Sequence, residues 1–264
     1  MRLESIFDIA DQYDTFLVDM WGVVYDGVHA FPEAIAALNT LKEQGKTIIF
    51  VSNNPRPSEF AKITLQELGL KGDVNIVTSG DVMRSIIQEK HLGQKVYHLG
   101  RARNKDILGG LDIHMVDDIR QSDFVLLSCF LEETEDFTQF DRDLELMAMH
   151  KMLVYCPNPD SYAAHHQTLR KTAGFFARRL EGTFGGKAVH IGKPDRSIFN
   201  FVQNSYLQAL RNKERTIMIG DTLTTDIKGG NDYGVATLFV EGGISGAFNA
   251  SSDVQPTYII KILK

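Results

Sequence analysis

The sequence predicts an α/β fold: a doubly wound, Rossmann-like parallel sheet with a second α/β domain inserted into it. Three observations carry that reading. Short apolar runs that stop on a polar residue alternate with stretches of helical period, the order expected of strands joined by crossover helices. The same rhythm occurs at both ends of the chain. Between them, residues 80–186 alternate on their own, flanked by Ser79-Gly80 and Gly185-Gly186, where glycine frees the backbone to hinge. The expected domains are therefore a core from 1–79 and 187–264, and an inserted cap from 80–186.

The elements follow in order. Residues 15–18 (TFLV) are apolar and partly β-branched and end at Asp19, which reads as a buried strand. Residues 33–44 carry apolar positions at helical spacing, with Gly45 as a stop. A second buried strand over 47–51 ends at Ser52-Asn53-Asn54, and a helix over 57–68 closes at Gly69. The insert reads as a helix (81–90), strands at 96–99 and 124–127, an acidic helix (132–150) and a strand at 152–155. The chain then offers a helix over 195–211, a strand at 216–219 ending at Gly220-Asp221, a short helix from 226 to 233, and a strand at 237–240.

Composition narrows the function. Hydrophobic residues make up 43% and charged residues 23%, enough for a packed core and too apolar for a disordered chain. A net charge of −6 offers no basic face for nucleic acid. The two cysteines, Cys129 and Cys156, form no CxxC pair and no secreted framework. The first residues lack the basic-then-apolar order of a signal peptide. No apolar run reaches the roughly 18 to 20 residues of a membrane span. The expectation is a cytoplasmic protein with no membrane or nucleic-acid partner.

Ligands of open parallel sheets bind beyond the carboxyl ends of strands. Those ends carry Asp19, then Ser52-Asn53-Asn54, then Asp221 and Asp226, and Ile191-Gly192-Lys193-Pro194 stands just before a helix. Carboxylates brought together need a neutralising cation. Hard oxygen ligands suit Mg²⁺, which keeps several waters and takes one or two carboxylates plus substrate phosphate. A lysine, a hydroxyl and backbone N–H groups would complete an anion site. Nucleophile, metal and fixed positive charge are the parts that phosphoryl transfer needs.

In that order and spacing the four segments resemble the motifs of the haloacid dehalogenase (HAD) superfamily. Asp19-Met20-Trp21-Gly22-Val23 is similar to motif one, normally Asp-x-Asp-Gly-Thr/Val. Ser52-Asn53-Asn54 resembles motif two, Gly192-Lys193-Pro194 motif three, and the run from Gly220 to Asp226 motif four. The cap placed after motif two, with Asn158-Pro159-Asp160 inside it, resembles the NagD-like branch, subclass IIA with a C2-type cap. The resemblance spans about residues 14 to 245. It implies a Mg²⁺-dependent phosphatase or phosphotransferase for a small phosphorylated metabolite. Asp19 would form an aspartyl-phosphate. Asp19, Asp221 and Asp226 would serve the metal, with the backbone carbonyl of Trp21. Ser52 and Lys193 would act on the phosphoryl group. Ser52, Asn53, Asn54, Lys193, Asn158 and Asp160 would contact substrate. A homodimer is compatible with the resemblance.

The pattern breaks at Trp21. The family's second motif-one acid, which protonates the leaving oxygen and then activates water, is replaced by a side chain whose only polar group is a donor N–H. General acid–base catalysis contributes about 10²- to 10⁴-fold, so the loss matters. Two alternatives follow: a phospho-ligand-binding protein with little turnover, or a metal-independent haloacid-type dehalogenase. Asp26 or a cap group could replace the acid, although Asp26 also reads as a turn residue in Tyr25-Asp26-Gly27. His165-His166 as a metal pair lacks a third ligand. Arg170, Lys171, Arg178 and Arg179 read as a solvated helix face or as a patch that greets an anionic substrate.

Overall fold

The computed structural model describes residues 1–131, 135–165, 168–206, 212–243, 246–249 and 251–264. Its strands, in chain order, are β1 (Arg2–Leu3), β2 (Thr15–Val18), β3 (Thr47–Ser52), β4 (Asn75–Thr78), β5 (Lys95–Gly100), β6 (His114–Met115), β7 (Phe124–Ser128), β8 (Phe130–Leu131), β9 (Val154–Cys156), β10 (Tyr162–His165), β11 (Thr168–Thr172), β12 (Val189–His190), β13 (Thr216–Gly220), β14 (Ala236–Val240) and β15 (Tyr258–Ile260). The helices are α1 (Pro32–Glu43), α2 (Ser58–Glu67), α3 (Ser79–Lys90), α4 (Asp141–Met149), α5 (Ala173–Phe184), α6 (Arg196–Ser205) and α7 (Lys228–Tyr233).

The first sheet has seven strands in the order β1-β15-β14-β13-β2-β3-β4, all parallel. Every residue of β2 is buried, because helices cover both faces of a parallel sheet and its strands read as unbroken apolar runs. From β2 the chain moves outward through β3 and β4. On its return it lays β13, β14 and β15 on the other side. The reversal of strand order therefore falls between β2 and β13, the place where such sheets open a crevice.

A second sheet, β12-β9-β7-β5-β6, is also parallel, and a small antiparallel sheet pairs β10, β11 and β8. One face of the first sheet, with Phe16, Phe50 and Ile219, packs on α1, α2 and the N-terminal segment. The opposite face, with Leu17, Val51 and Met218, packs on α3 and α6, and this apolar layer continues into the second sheet through Val96, Phe124 and Leu126. A third cluster lies under α4 and α5. The layer between the sheets ties the insert to the core. Because β12 belongs to the second sheet, we place the return to the core after His190 rather than at residue 187.

Several expected elements shift. The acidic helix expected over 132–150 is a 3₁₀ turn (Phe137–Phe140) followed by α4, and Glu132-Glu133 lies outside the described residues. The helix expected over 195–211 ends at Ser205, because Tyr206 leaves the helical conformation (φ −130°, ψ 55°); residues 207–211 lie outside the described ones. His166 is also outside, so the His165-His166 pair is not described. Arg170 and Lys171 stand on β11 rather than on a helix face with Arg178 and Arg179. Neighbouring residues of an extended strand point to opposite faces, so Arg170 and Lys171 form no helical stripe.

Candidate active site

The strand ends at the switch point deliver four charged groups into one place. Asp19 is the residue after β2, and its N–H donates to the carbonyl of Ile219 at 2.9 Å, which fixes it level with the end of β13. Asp221 follows β13 directly. Asp226 comes from a short π-helical turn, Leu223–Ile227, in which one extra residue per turn swings its carboxylate back toward the sheet. Oδ2 of Asp226 accepts from the Thr222 N–H at 3.1 Å. Oxygen atoms of Asp19, Asp221 and Asp226 all lie within 4.8 Å of one another, and all three residues are buried.

Lys193 is the counter-charge. It is 1% exposed, and its Nζ lies 2.6 Å from Oδ1 of Asp19 and 2.7 Å from Oδ1 of Asp226, while donating to the Val51 carbonyl at 2.6 Å. The contact with Asp226 is ionic only: no donor is aligned on that oxygen. Three buried carboxylates against one ammonium leave negative charge uncompensated. Burial, then the fields of Asp226 and Asp221, hold the Asp19 carboxyl well above its ordinary range despite the pull of Lys193. Burial alone would lower Lys193, but Asp19, Asp226 and Asp160 outweigh it and raise its pKa. A divalent cation fits this donor set. It would supply the missing positive charge and hold the carboxylates ionised. Glycine makes the room: at Gly22 (φ +79°) and at Gly243 an added Cβ would overlap the Asp221 carboxylate.

The loop after β3 meets the insert. Asn53 is buried and holds Lys193 at both main-chain groups: its Oδ1 accepts from the Lys193 N–H at 2.7 Å and its Nδ2 donates to the Lys193 carbonyl at 3.0 Å. The same amide nitrogen donates to Oδ1 of Asp160 at 3.2 Å. Burial raises Asp160 to about 6. Arg178 fastens this segment by donating to the Pro159 carbonyl at 3.0 Å. Ser52 is 2% exposed, and its Oγ accepts from the Asn54 N–H at 3.2 Å. Asn54 folds its own side chain into the turn, accepting from the Arg56 N–H at 3.0 Å. Asn158 does the same for Asp160 N–H at 3.2 Å.

These residues line one cleft of about 240 Å³, small-metabolite size. Asp19, Trp21, Ser52, Asn53, Asn54, Asn158, Asp160, Lys193 and Asp221 all border it, and Asp226 sits just behind. The cleft also takes Tyr25, Arg56, Phe130 and Tyr162, none of which stands in a motif. No local pattern announces them, because they come from four separate segments brought together by packing. Asp26 stays away. It accepts from the N–H groups of Val28 (2.9 Å) and His29 (2.7 Å), and these bonds hold its pKa below the ordinary value against the opposing effect of burial. It is the turn residue of its loop and does not replace the missing acid.

Comparison with known proteins agrees with this geometry. A crystal structure of a hydrolase of the haloacid dehalogenase-like family from Brucella suis 1330 superposes with a TM-score of 0.88 at 31% identity, over 99% of this chain and 100% of that one. The chain belongs to the haloacid dehalogenase-like hydrolases. Two family models match it, haloacid dehalogenase-like hydrolase over residues 16–114 and HAD-hydrolase-like over 190–264. Together they take in every charged site residue except Asp160. Among curated relatives, this HAD hydrolase is 26% identical to mouse (Mus musculus) glycerol-3-phosphate phosphatase over 95% of its own length and 85% of that protein. It is likewise 26% identical to the 5'-nucleotidase YutF of Bacillus subtilis (strain 168), over 95% and 96%.

Proposed function

We propose that this HAD hydrolase is a Mg²⁺-dependent phosphatase or phosphotransferase that acts on a small phosphorylated metabolite through an aspartyl-phosphate at Asp19. One observation carries the reading: a buried nucleophile candidate, Asp19, sits at the switch point within a three-carboxylate cluster and is gripped by Lys193. The relatives named for phosphatase and nucleotidase activity support it.

Asp19, Asp221 and Asp226 would hold the ion, with the main-chain carbonyl of Trp21. When bound, Mg²⁺ neutralises the carboxylates and the phosphate that faces them. Lys193 and Ser52 hold the transferring group in line with Asp19, and Asn53 fixes Lys193 through its backbone. An Asp19 oxygen attacks phosphorus. The bond from phosphorus to the leaving oxygen breaks, and its electron pair departs with that oxygen. Water then attacks phosphorus and gives up a proton, which the departed oxygen takes up through solvent; the bond to Asp19 breaks, and inorganic phosphate leaves. Asn54, Asn158 and Asp160 line the wall against which the rest of the substrate lies.

The second reading, a phospho-ligand binder with little turnover, is favoured by Trp21 in the cleft wall. The dehalogenase reading is not: a metal-free nucleophile has no use for the buried Asp221 and Asp226. The proposal places the protein in the cytoplasm. Cys129 and Cys156 are free thiols, and among the described residues no helix is long and apolar enough to cross a membrane. It also includes a homodimer, which sedimentation tests. The functional test is hydrolysis of 4-nitrophenyl phosphate with Mg²⁺ or EDTA. Turnover that needs Mg²⁺ and vanishes in Asp19→Asn supports the phosphatase. Turnover unchanged in Asp19→Asn refutes it, and tight Mg²⁺-dependent binding without turnover favours the binder.

A further inference from the structure

We propose that the substrate of this site is the phosphate ester of a flat, conjugated hydroxyl, a phenol or an enol, whose oxygen departs without a proton donor. The inference rests on the phosphatase reading above and names its substrate class.

Two independent features of the cleft point to it. The first is that no carboxylic acid stands ready to protonate the leaving oxygen at neutral pH. Two residues past Asp19 the wall is the indole of Trp21, which has no acidic proton to give. Asp26 is bound into its own turn by two backbone N–H groups. Asp160, lifted to about 6 by burial, is ionised at neutral pH, where it accepts from Asn53 Nδ2 at 3.2 Å and from the Thr225 side chain. Asp19, Asp221 and Asp226 form the charged cluster. Among the described residues that line the cleft, every carboxylate is thus already committed. An alkoxide leaving from phosphorus needs a proton as it goes. An aryloxide or enolate spreads its charge over its own π-system and does not, so loss of the general acid, which elsewhere contributes about 10²- to 10⁴-fold, costs it little.

The second feature is the wall. Trp21 and Tyr25 meet edge to face, with ring centroids 5.3 Å apart. The antiparallel sheet of the insert adds Phe130 from β8 and Tyr162 from β10. The guanidinium groups of Arg101 and Arg170 each stand over the Phe130 ring, 5.4 Å from its centroid. Four rings around one small cleft offer stacking faces and edges to a planar group. In the reaction, Asp19 takes the phosphoryl group, the phosphorus–oxygen bond breaks, and the conjugated oxyanion leaves with the electron pair. It takes a proton from water once outside the cleft.

The test is a leaving-group series with Mg²⁺: substituted phenyl phosphates, an enol phosphate, and glycerol 3-phosphate as the alkyl case. For the wild type, kcat/KM is expected to rise steeply as the leaving-group pKa falls, and to favour phenyl over glycerol 3-phosphate by about 10²-fold or more. In Trp21→Asp the slope should flatten and the alkyl ester should gain about 10²-fold more than the aryl esters. Trp21→Phe should keep the steep slope. The wild-type series needs no variant, so a misfolded Trp21→Asp leaves the test intact. Wild-type enzyme that processes glycerol 3-phosphate as efficiently as phenyl phosphate, with Asp19 still required, overturns this inference and leaves the phosphatase reading standing. No Asp19-dependent turnover of any ester in the series would instead remove the phosphatase reading itself.

Discussion

Lys193→Met is the substitution that weighs the site's electrostatics most directly. The Nζ of Lys193 touches Oδ1 of Asp19 at 2.6 Å, Oδ1 of Asp226 at 2.7 Å and the Val51 carbonyl at 2.6 Å, and the residue is 1% exposed. Methionine fills a similar volume but leaves two buried carboxylates without their counter-charge and one carbonyl without its donor. Removing one partner of a buried ion pair costs about 3–5 kcal/mol. The carbonyl alone would add about 1–3 kcal/mol. Proton uptake by the stranded carboxylates limits the total, so about 3–5 kcal/mol is the expected loss in metal-free protein. The assay is urea unfolding at neutral pH in EDTA and again with Mg²⁺. Because a divalent cation restores positive charge, Mg²⁺ should stabilise the variant more than the wild type. A loss under about 1 kcal/mol in EDTA, smaller than any buried-pair value, refutes the reasoning.

Two further outcomes follow from the same geometry. Burial lifts Asp160 from 3.8 to about 6, so between those values the folded protein keeps a proton that the unfolded chain has released. Metal-free protein therefore loses stability as pH rises through that window, by about 3 kcal/mol at most. Unfolding from pH 4 to 6 should show Asp160→Asn missing that decline, and parallel curves for the two proteins contradict it. Gly22→Ala puts a methyl group into the Asp221 carboxylate at φ +79°, whereas Gly45→Ala, at φ +78°, meets nothing within 4 Å. Both should pay about 1–2 kcal/mol of backbone strain, but only Gly22→Ala should lose the thermal stabilisation given by Mg²⁺.

The core and the charged centre were legible for a physical reason. A parallel sheet covered on both faces demands unbroken apolar strands, so β2, β3 and β13 stand out, and the residues that end them fall at one edge. Asp19 and Asp221 are thus readable as strand-end residues before any packing is known, whereas Lys193 and Asp226 come from the turns beside them. The short strands β1 and β15, two and three residues long, have too little period to detect. Helix α5 hides behind its glycines. A Cβ at Gly174 would overlap the carbonyls of Pro159 and Asp160, so a residue that weakens the helical pattern is required by tertiary contact. The cleft walls were illegible for the same reason. Tyr25, Phe130 and Tyr162 converge only because the insert folds over the sheet.

The central claim is that Asp19 carries the phosphoryl group. Its most direct test is to mix the protein with Mg²⁺ and 4-nitrophenyl phosphate, quench in acid during turnover, and map the modified peptide by mass spectrometry. With Trp21 in place of the acid–base residue two positions past Asp19, the acyl phosphate should accumulate, and the phosphoryl mass should sit on Asp19 in the wild type and be absent from Asp19→Asn. Turnover that proceeds with an unmodified Asp19, or with the phosphoryl group on another residue, contradicts the account.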